Sequence, residues 1–444
     1  MKIPRKPPKL QEILKKQSGD PVDFLVKMGQ SVRDTTFNNQ YIHWDELRLK
    51  DLPKDTDIEE IWAGLKFRRM GNRKDIPLED KAGSLFSYCT PDYLQESLAY
   101  IDRHASGKIQ TADQITNSQT RNRYIISSLM EEAIRSSQLE GAATTRKAAK
   151  EMIRTGRAPI DKNERMIYNN YLTMQHIRKI TDKTLQPSTV LDIHKKVTKG
   201  TLDDPDEAGR LRKEEDGFVR VVQNNDGLIL HDPPSAEELP KRLSGMCDFA
   251  NKKIPDSYLH PVLRAIILHF WLSYDHPFTD GNGRTARALF YWLMLREGYW
   301  LCEFISISHV LRNAPSKYAR SFLYTETDDN DLTYFLIYNL RVIRKAINEL
   351  FQYIEKKETE ITLLENRSRK LLKLNHRQKA LISHALRNPD GVYTFASHKQ
   401  SHGVSFQTAR TDLLSLEKSG YLVKEKIGRA YHFYPAKNLT DKLA

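Results

Sequence analysis

Apolar residues recur at helical spacing from about Arg121: Ile125 and Ile126, Leu129 and Met130, Ala133 and Ile134, then Ser137 on the same stripe. The pattern predicts a helix over about 121–140, with Gly141 as its stop. Readable caps mark further helices. Thr145 precedes Arg146 to Thr155, with Gly156 behind it, and Asp161 and Glu164 form a capping-box-like pair ahead of a long helix to Thr181. Ser188 precedes a helix ending at Gly200, Ser235 and Glu238 one that runs through Phe249, and Pro261 opens another whose buried side carries Leu263, Ile266, Ile267 and Phe270. The pair Asn169-Asn170 is assigned to packing within this bundle.

Between Gly209 and Pro234 the pattern changes. Phe218-Val219-Arg220-Val221-Val222 and Leu228-Ile229-Leu230-His231 flank the turn signal Asn224-Asn225-Asp226-Gly227, which predicts a β-hairpin. A lone hairpin is marginal in water and must lean on the helices. Further helices are expected from Ser316 and from about Asp331. Ile343 to Leu374 reads as a long charged helix threaded by Ile347, Leu350, Phe351, Ile354, Ile361 and Leu364. Beyond it lie helices at Arg377 to Leu386, Phe395 to Gln400 and Ser405 to Leu416. Two strands follow, Gly420 to Lys424 and Arg429 to Phe433. Residues 1 to about 110 say least: a Pro/Lys-rich opening, Trp44, Trp62, Phe67 and Phe86 between turns, and a helix-like Pro91 to His104.

Composition narrows the class. The 444 residues allow two to four domains. Lys plus Arg number 70 against 57 Asp plus Glu, a formal +13, which leans towards anionic partners such as nucleotides or nucleic acid. Cys89, Cys247 and Cys302 are too scattered for a disulfide framework or a metal cluster, so a reducing, cytoplasmic setting is expected. No signal peptide and no membrane-length apolar run is read, so no membrane partner is expected.

The chemistry concentrates in His276-Pro277-Phe278-Thr279-Asp280-Gly281-Asn282-Gly283-Arg284-Thr285-Ala286-Arg287. Pro277, Gly281 and Gly283 break any helix through the loop, and a nearly apolar helix follows until Gly298. The glycines therefore stand at a helix N-terminus, where unpaired N–H groups and the dipole favour an anion. Arg284 and Arg287, three apart, share a face able to grip phosphate oxygens. Asp280 offers one hard oxygen, enough for a Mg²⁺ that completes its shell from phosphates and water. His276 can be neutral near physiological pH and accept a proton. A nucleotide, a metal and a base imply transfer to a hydroxyl.

The order His-x-Phe-x-Asp-Gly-Asn-Gly-Arg-x-x-Arg, with every position filled, resembles the active-site motif of the Fic domain, a mostly helical family of nucleotidyl transferases, usually adenylyl transferases. The resemblance covers roughly Arg121 to Tyr338. It implies ATP as donor, a target protein with a modifiable hydroxyl, His276 as base, and Asp280 on Mg²⁺. Gly281, Asn282 and Gly283 would hold the α-phosphate, and Arg284 and Arg287 the β- and γ-phosphates. Ser136-Ser137-Gln138-Leu139-Glu140-Gly141 is similar to the family's inhibitory (Ser/Thr)-x-x-x-Glu-(Gly/Asn) motif, which implies that Glu140 pairs with Arg287 and spoils the γ-phosphate pose; Ser136 and Gly141 frame it. The hairpin resembles the family's flap, in which Val219, Val221, Leu228 and Ile229 would hold the target by main-chain pairing; a merely structural hairpin is the alternative. Tyr318 and Tyr324 are candidates for an adenine wall, although aromatics at helical spacing also serve as core.

The C-terminal segment is similar to a winged helix-turn-helix. Gln407, Thr408 and Arg410 would start its recognition helix, and Arg410, Lys424, Lys426 and Arg429 would meet phosphates if it binds DNA, with Asp412 and Glu417 softening that face. Docking to a protein is the other use of such a module. The expected division is a 1–112 extension, a mainly α 113–355 core with its β-hairpin, a 356–375 helical linker and a 376–436 winged helix. AMP removal, transfer of another phosphate-containing group, a DNA-binding regulator with an idle core, and oligomer formation all stay open.

Overall fold

The structure is a computed structural model that describes residues 2–16, 20, 22, 24, 26, 32, 34–52, 57–106, 118–217, 221–222, 227, 229–255, 257–369, 374–427 and 430–443. The chain forms two compact units, Met1–Asn348 and Glu349–Ala444.

The first unit opens with α1 (Leu10–Lys16), α2 (Trp44–Leu47) and α3 (Ile58–Gly71), followed by an antiparallel hairpin of β1 (Lys74–Glu79) and β2 (Leu85–Tyr88), and by α4 (Asp92–Ala105). Sequence periodicity does not reveal α3, because Ile61, Trp62, Ala63, Gly64 and Leu65 are consecutive and all buried. Trp62 packs with Ile13, Ile42 and Leu47 in a core of its own. Buried Arg69 donates to Tyr334 Oη at 2.7 Å and to the Ile42 carbonyl at 2.9 Å, while Lys66 pairs with Asp328 at 2.7 Å. The N-terminal segment is thereby fastened to the corner after residue 327.

Then come α5 (Ser118–Leu139), α6 (Arg146–Thr155), α7 (Lys162–Lys179), α8 (Pro187–Thr198), a short antiparallel pair β3 (Val221–Val222) and β4 (Ile229–His231), α9 (Leu239–Ala250) and α10 (Pro261–Asp275). They are followed by α11 (Asn282–Arg296), α12 (Ile307–Arg312), α13 (Pro315–Thr327) and α14 (Thr333–Arg369). The helix α11 is central, with α5, α7, α8 and α10 packed around it. Its residues from Arg284 to Met294 are all buried, as expected of a helix enclosed on every side.

Capping follows the sequence at α6, where Thr145 Oγ1 accepts from Ala148 N at 3.3 Å and Gly156 closes with φ 68°. Asp161 caps α7 through Glu164 N at 2.8 Å, but the buried Glu164 carboxylate bonds to Arg157 and Ile160 N instead of completing a box. The α8 helix starts at Pro187, not after Ser188, since proline at the first position needs no N–H partner. The two helices expected from Asp331 and Ile343 are one continuous helix, α14. Asn169 and Asn170 do serve packing, donating to the Lys199 carbonyl at 2.7 Å and the Ala133 carbonyl at 3.3 Å.

The second unit contains α15 (His376–Arg387), α16 (Phe395–His402), α17 (Phe406–Lys418) and the antiparallel strands β5 (Leu422–Ile427) and β6 (Ala430–Pro435), registered from Leu422↔Pro435 to Ile427↔Ala430. Leu381, Ile382, Leu413, Leu416 and Phe433 form its core. Gln407 and Arg410 are exposed on α17, whereas Thr408 receives the helix cap, its N–H donating to Ser405 Oγ at 3.1 Å. Asp412 does not soften an outer face. It is buried and bonded to Arg377 at 2.7 Å, Asn375 at 2.7 Å and His398 at 3.2 Å, because α17 turns it towards α15 and α16. Lys424 and Lys426 are exposed; Arg429 lies outside the described residues. All three cysteines are free and buried, and no helix among the described residues is long and apolar enough to cross a membrane.

Candidate active site

The loop between α10 and α11 begins where α10 ends, at His276, whose φ of 45° is left-handed and turns the chain sharply. Its Nδ1 lies 3.4 Å from the Ser273 carbonyl, which favours the proton on Nδ1 and leaves the lone pair on Nε2. Burial, helped by the charge of nearby His231, pushes His276 down to about 4, so the ring is a neutral acceptor at ordinary pH.

Inside the loop, Asn282 ties the turn to itself: Oδ1 accepts from Phe278 N at 3.0 Å and Nδ2 donates to the Phe278 carbonyl at 2.7 Å. Phe278 is fully buried and stacks on His194 of α8, 3.7 Å between ring centres and 4° from parallel. His194 Nε2 donates to the Asp280 carbonyl at 2.9 Å and Nδ1 accepts from Gly209 N at 3.1 Å, a set that suits a neutral ring; burial pushes it down to about 4. Gly281 has φ +83°, and a Cβ there would meet Thr198 Cγ2 at 2.6 Å. Glycine is required on both counts.

The first turn of α11 holds an anion already. Glu140 stands in the turn just after α5, and its Oε1 lies so close that a Cβ on Gly283 would fall 2.1 Å from it. Arg287, only 2% exposed, donates through Nη2 to Glu140 Oε1 at 2.7 Å and to the Ser136 carbonyl at 3.0 Å, and through Nε to Ser136 Oγ at 2.8 Å. Burial opposes the charge of Arg287, yet the Glu140 carboxylate outweighs it and holds the guanidinium above its ordinary value. Gly141 follows with φ +95°. Glu132, two turns before Glu140, is buried and accepts from Tyr291 Oη at 2.9 Å, Ser306 Oγ at 2.7 Å, and Ser308 N at 3.1 Å and Oγ at 2.5 Å. That carboxylate pins α5, and with it Glu140, to α11 and α12.

Arg284 takes a different direction from Arg287. Fully buried, it reaches the Val197 carbonyl at 3.3 Å and Asp280 Oδ2 at 3.3 Å, and its Nε has no hydrogen-bond partner. Asp280 is half-exposed, with Oδ1 accepting from Gly281 N at 2.5 Å. Its oxygens suit a hard cation, but no group of three His, Cys, Asp or Glu among the described residues could hold a metal by itself.

His276, Asn282, Gly283, Arg287 and Glu140 line one cavity, walled further by Val221, Leu230, Tyr274, Tyr318, Phe322 and Leu323, with His231 and Glu326. Of the hairpin residues, Val221 lines the cavity and Ile229 is exposed, while Val219 and Leu228 lie outside the described residues. Tyr318 lines the cavity and its hydroxyl meets His269 Nε2 at 2.8 Å. Tyr324 does not line it. Six residues further along α13 it points about 240° round the helix, stacks on His43 at 4.2 Å and donates to Glu46 at 2.9 Å. His194, Glu132 and the pair His231 and Glu326 were not legible as site residues, since their partners lie far away in sequence.

Residues 184–294 match the Fic/DOC family. Relatives include "Protein adenylyltransferase Fic" of Nematostella vectensis, 31% identical over 171 residues, covering 37% of this chain and 37% of the relative. Another is "Protein adenylyltransferase fic-1" of Caenorhabditis elegans, 36% identical over 110 residues, covering 25% of this chain and 19% of the relative. The aligned part is thus well under half of either relative. Among solved structures, a Fic family protein from Desulfovibrio desulfuricans G20 superposes with a TM-score of 0.51 at 19% identity, over 78% of this chain and 95% of its own, a likeness of fold. The stretch that matches the Fic/DOC family, residues 184–294, holds α8, α9, α10, the His276 loop and nearly all of α11.

Proposed function

We propose that this chain is a protein adenylyltransferase that moves AMP from ATP to a hydroxyl of a target protein and is restrained by Glu140. The observation that carries the reading is the pairing of a neutral His276 with an anion site, at the start of α11 beside Arg287, that a carboxylate already fills. The names of the relatives point the same way.

In this reading the target oxygen attacks the α-phosphorus while His276 Nε2 takes its proton, and the bond to the bridging oxygen breaks to release pyrophosphate. The main-chain N–H groups of Asn282 and Gly283 are assigned to the α-phosphate, and that of Gly281 only if it leaves Asp280 Oδ1; the Asn282 side chain is committed to Phe278 and shapes the turn. Arg287 takes the γ-phosphate once Glu140 leaves. Arg284 reaches a β-phosphate only by giving up Val197 and Asp280. Asp280 would hold Mg²⁺, which when bound supplies charge neutralisation on the phosphates. Placement and charge stabilisation carry most of the rate, with base catalysis contributing about 10²- to 10⁴-fold. Val221 and Ile229, on the short strand pair, are assigned to holding the target main chain.

The test is incubation of wild type, Glu140→Gly and Glu140→Gly/His276→Ala with Mg²⁺ and ATP labelled at the α- or the γ-phosphate, read by intact mass. Only α-label should accumulate, most in Glu140→Gly and none in the double variant. γ-label, or α-label in the double variant, refutes the reading. The second unit is assigned a docking role, supported by the exposed Gln407 and Arg410 on α17 next to a two-stranded hairpin.

A further inference from the structure

His231 is the last residue of β4, lies in the cavity beside His276, and is 9% exposed at its side chain. Both ring nitrogens face acceptors. Nδ1 is 2.8 Å from Glu326 Oε2 on α13, and Nε2 is 2.7 Å from the carbonyl of Tyr274. A neutral imidazole has one N–H and can satisfy only one of these; the imidazolium satisfies both. The Tyr274 carbonyl belongs to the last turn of α10, where helix carbonyls lack intrahelical partners and the dipole is negative. A cation is the stabilising occupant there.

We propose that His231 is a positioning residue acting as an imidazolium, which closes the C-terminus of α10, joins it to β4 and α13, and so fixes the turn that delivers His276. This rests on the transferase reading above only for its effect on rate. The residue after the next one past the capped carbonyl is His276 itself, so loosening this end moves the base before it moves anything else in the loop.

The surroundings agree. Burial opposes the charge on His231, but Glu326 and the Tyr274 carbonyl outweigh it and raise its pKa above the ordinary value; Lys81, from the turn between β1 and β2, pulls the other way and is itself paired with Asp232 at 2.5 Å. Asp275 faces the ring from α10 and is bonded to Arg242 of α9 at 2.7 Å. Arg212 donates to the His276 carbonyl at 2.9 Å from the preceding loop. The His231 charge adds to burial, the larger cause, in lowering the pKa of His276. The sign follows: the clamp is complete below the ordinary histidine value of about 6.5 and is lost as pH rises through the higher folded value.

The experiment uses the full chain labelled with ¹⁵N-histidine, in the wild type and in Glu326→Gln, with His231→Gln to assign the signals. At neutral pH His231 should show both ring nitrogens protonated and titrate above about 6.5, and Glu326→Gln should lower that titration by about one pH unit or more. A neutral His231 ring at neutral pH overturns the proposal, whatever the activity. In the Glu140→Gly background, α-label transfer should fall about tenfold in His231→Gln, and its loss on the alkaline side should disappear in His231→Arg, which keeps its charge. An alkaline limb unchanged in His231→Arg also overturns it. Absence of transfer in the parent at every pH counts against the transferase reading and leaves the ring titration to decide His231.

Discussion

Glu140 Oε1 occupies the space that a side chain on Gly283 would need, since a Cβ built there falls 2.1 Å from it. In the proposed reading, the Glu140 carboxylate and a phosphate compete for that one position. Gly283→Ala should crowd the phosphate, lowering α-label transfer about a hundredfold in the Glu140→Gly background. Thermal unfolding with and without ATP checks it: the nucleotide should stabilise Gly283→Ala far less than its parent.

Removing the acid alone has a different signature. In Glu140→Gly, buried Arg287 keeps its bonds to Ser136 but loses the 2.7 Å carboxylate. Stability without nucleotide should fall by about 1–3 kcal/mol, and ATP should restore more of it than it adds to the wild type. Equal responses to ATP in both proteins would reduce Glu140 to an ordinary surface acid.

Loss of the base should separate chemistry from binding. His276→Ala should lower transfer about 10²- to 10⁴-fold while ATP still raises the unfolding temperature. With His276 intact in Glu140→Gly, kcat/KM should hold as pH falls below neutrality and drop only near about 4, where the ring takes up a proton.

Acid should also weaken the fold. His43 and His194 are pushed down to about 4 and His269 to about 3, each chiefly by burial, and all three are fully buried. They are neutral in the folded chain but charge in the unfolded one below about 6.5. Stability is therefore complete above that value and declines as pH falls towards 4, by up to roughly 1.4 kcal/mol per histidine per pH unit. Urea midpoints across this range test the slope; a flat profile would contradict it.

Deleting residues beyond about 374 should spare autolabelling and change association with target or DNA. Arg410→Ala in the full chain should reduce the salt dependence of DNA binding by about one unit if DNA is the ligand. No change in either association would leave the second unit without its docking role.

Much of this site was legible because it is local. The run from His276 to Arg287 carries its chemistry in contiguous residues; Thr145 and Asp161 mark helix starts through bonds three residues long, and Gly156 marks an end by its left-handed φ of 68°. What stayed hidden is made by distant partners or by burial without a period. His194 meets Asp280 across 86 positions, Glu132 meets Ser308 across 176, and α3 buries consecutive residues, so no polar face announces it. Tyr324 shows the opposite error: an aromatic near a site by sequence that is turned away by helix geometry.

The loop is also held by a ring it does not contain. Phe278 lies flat on His194, the Asp280 carbonyl hangs from the same imidazole, and the Thr198 methyl leaves no room at Gly281 for anything but hydrogen. The twelve residues are thus not a portable cassette. Grafted between two helices of another bundle, they would keep their letters and lose their shape, because the template that moulds them is the face of α8; an engineer who wanted the activity elsewhere would have to transplant His194 and Thr198 with it.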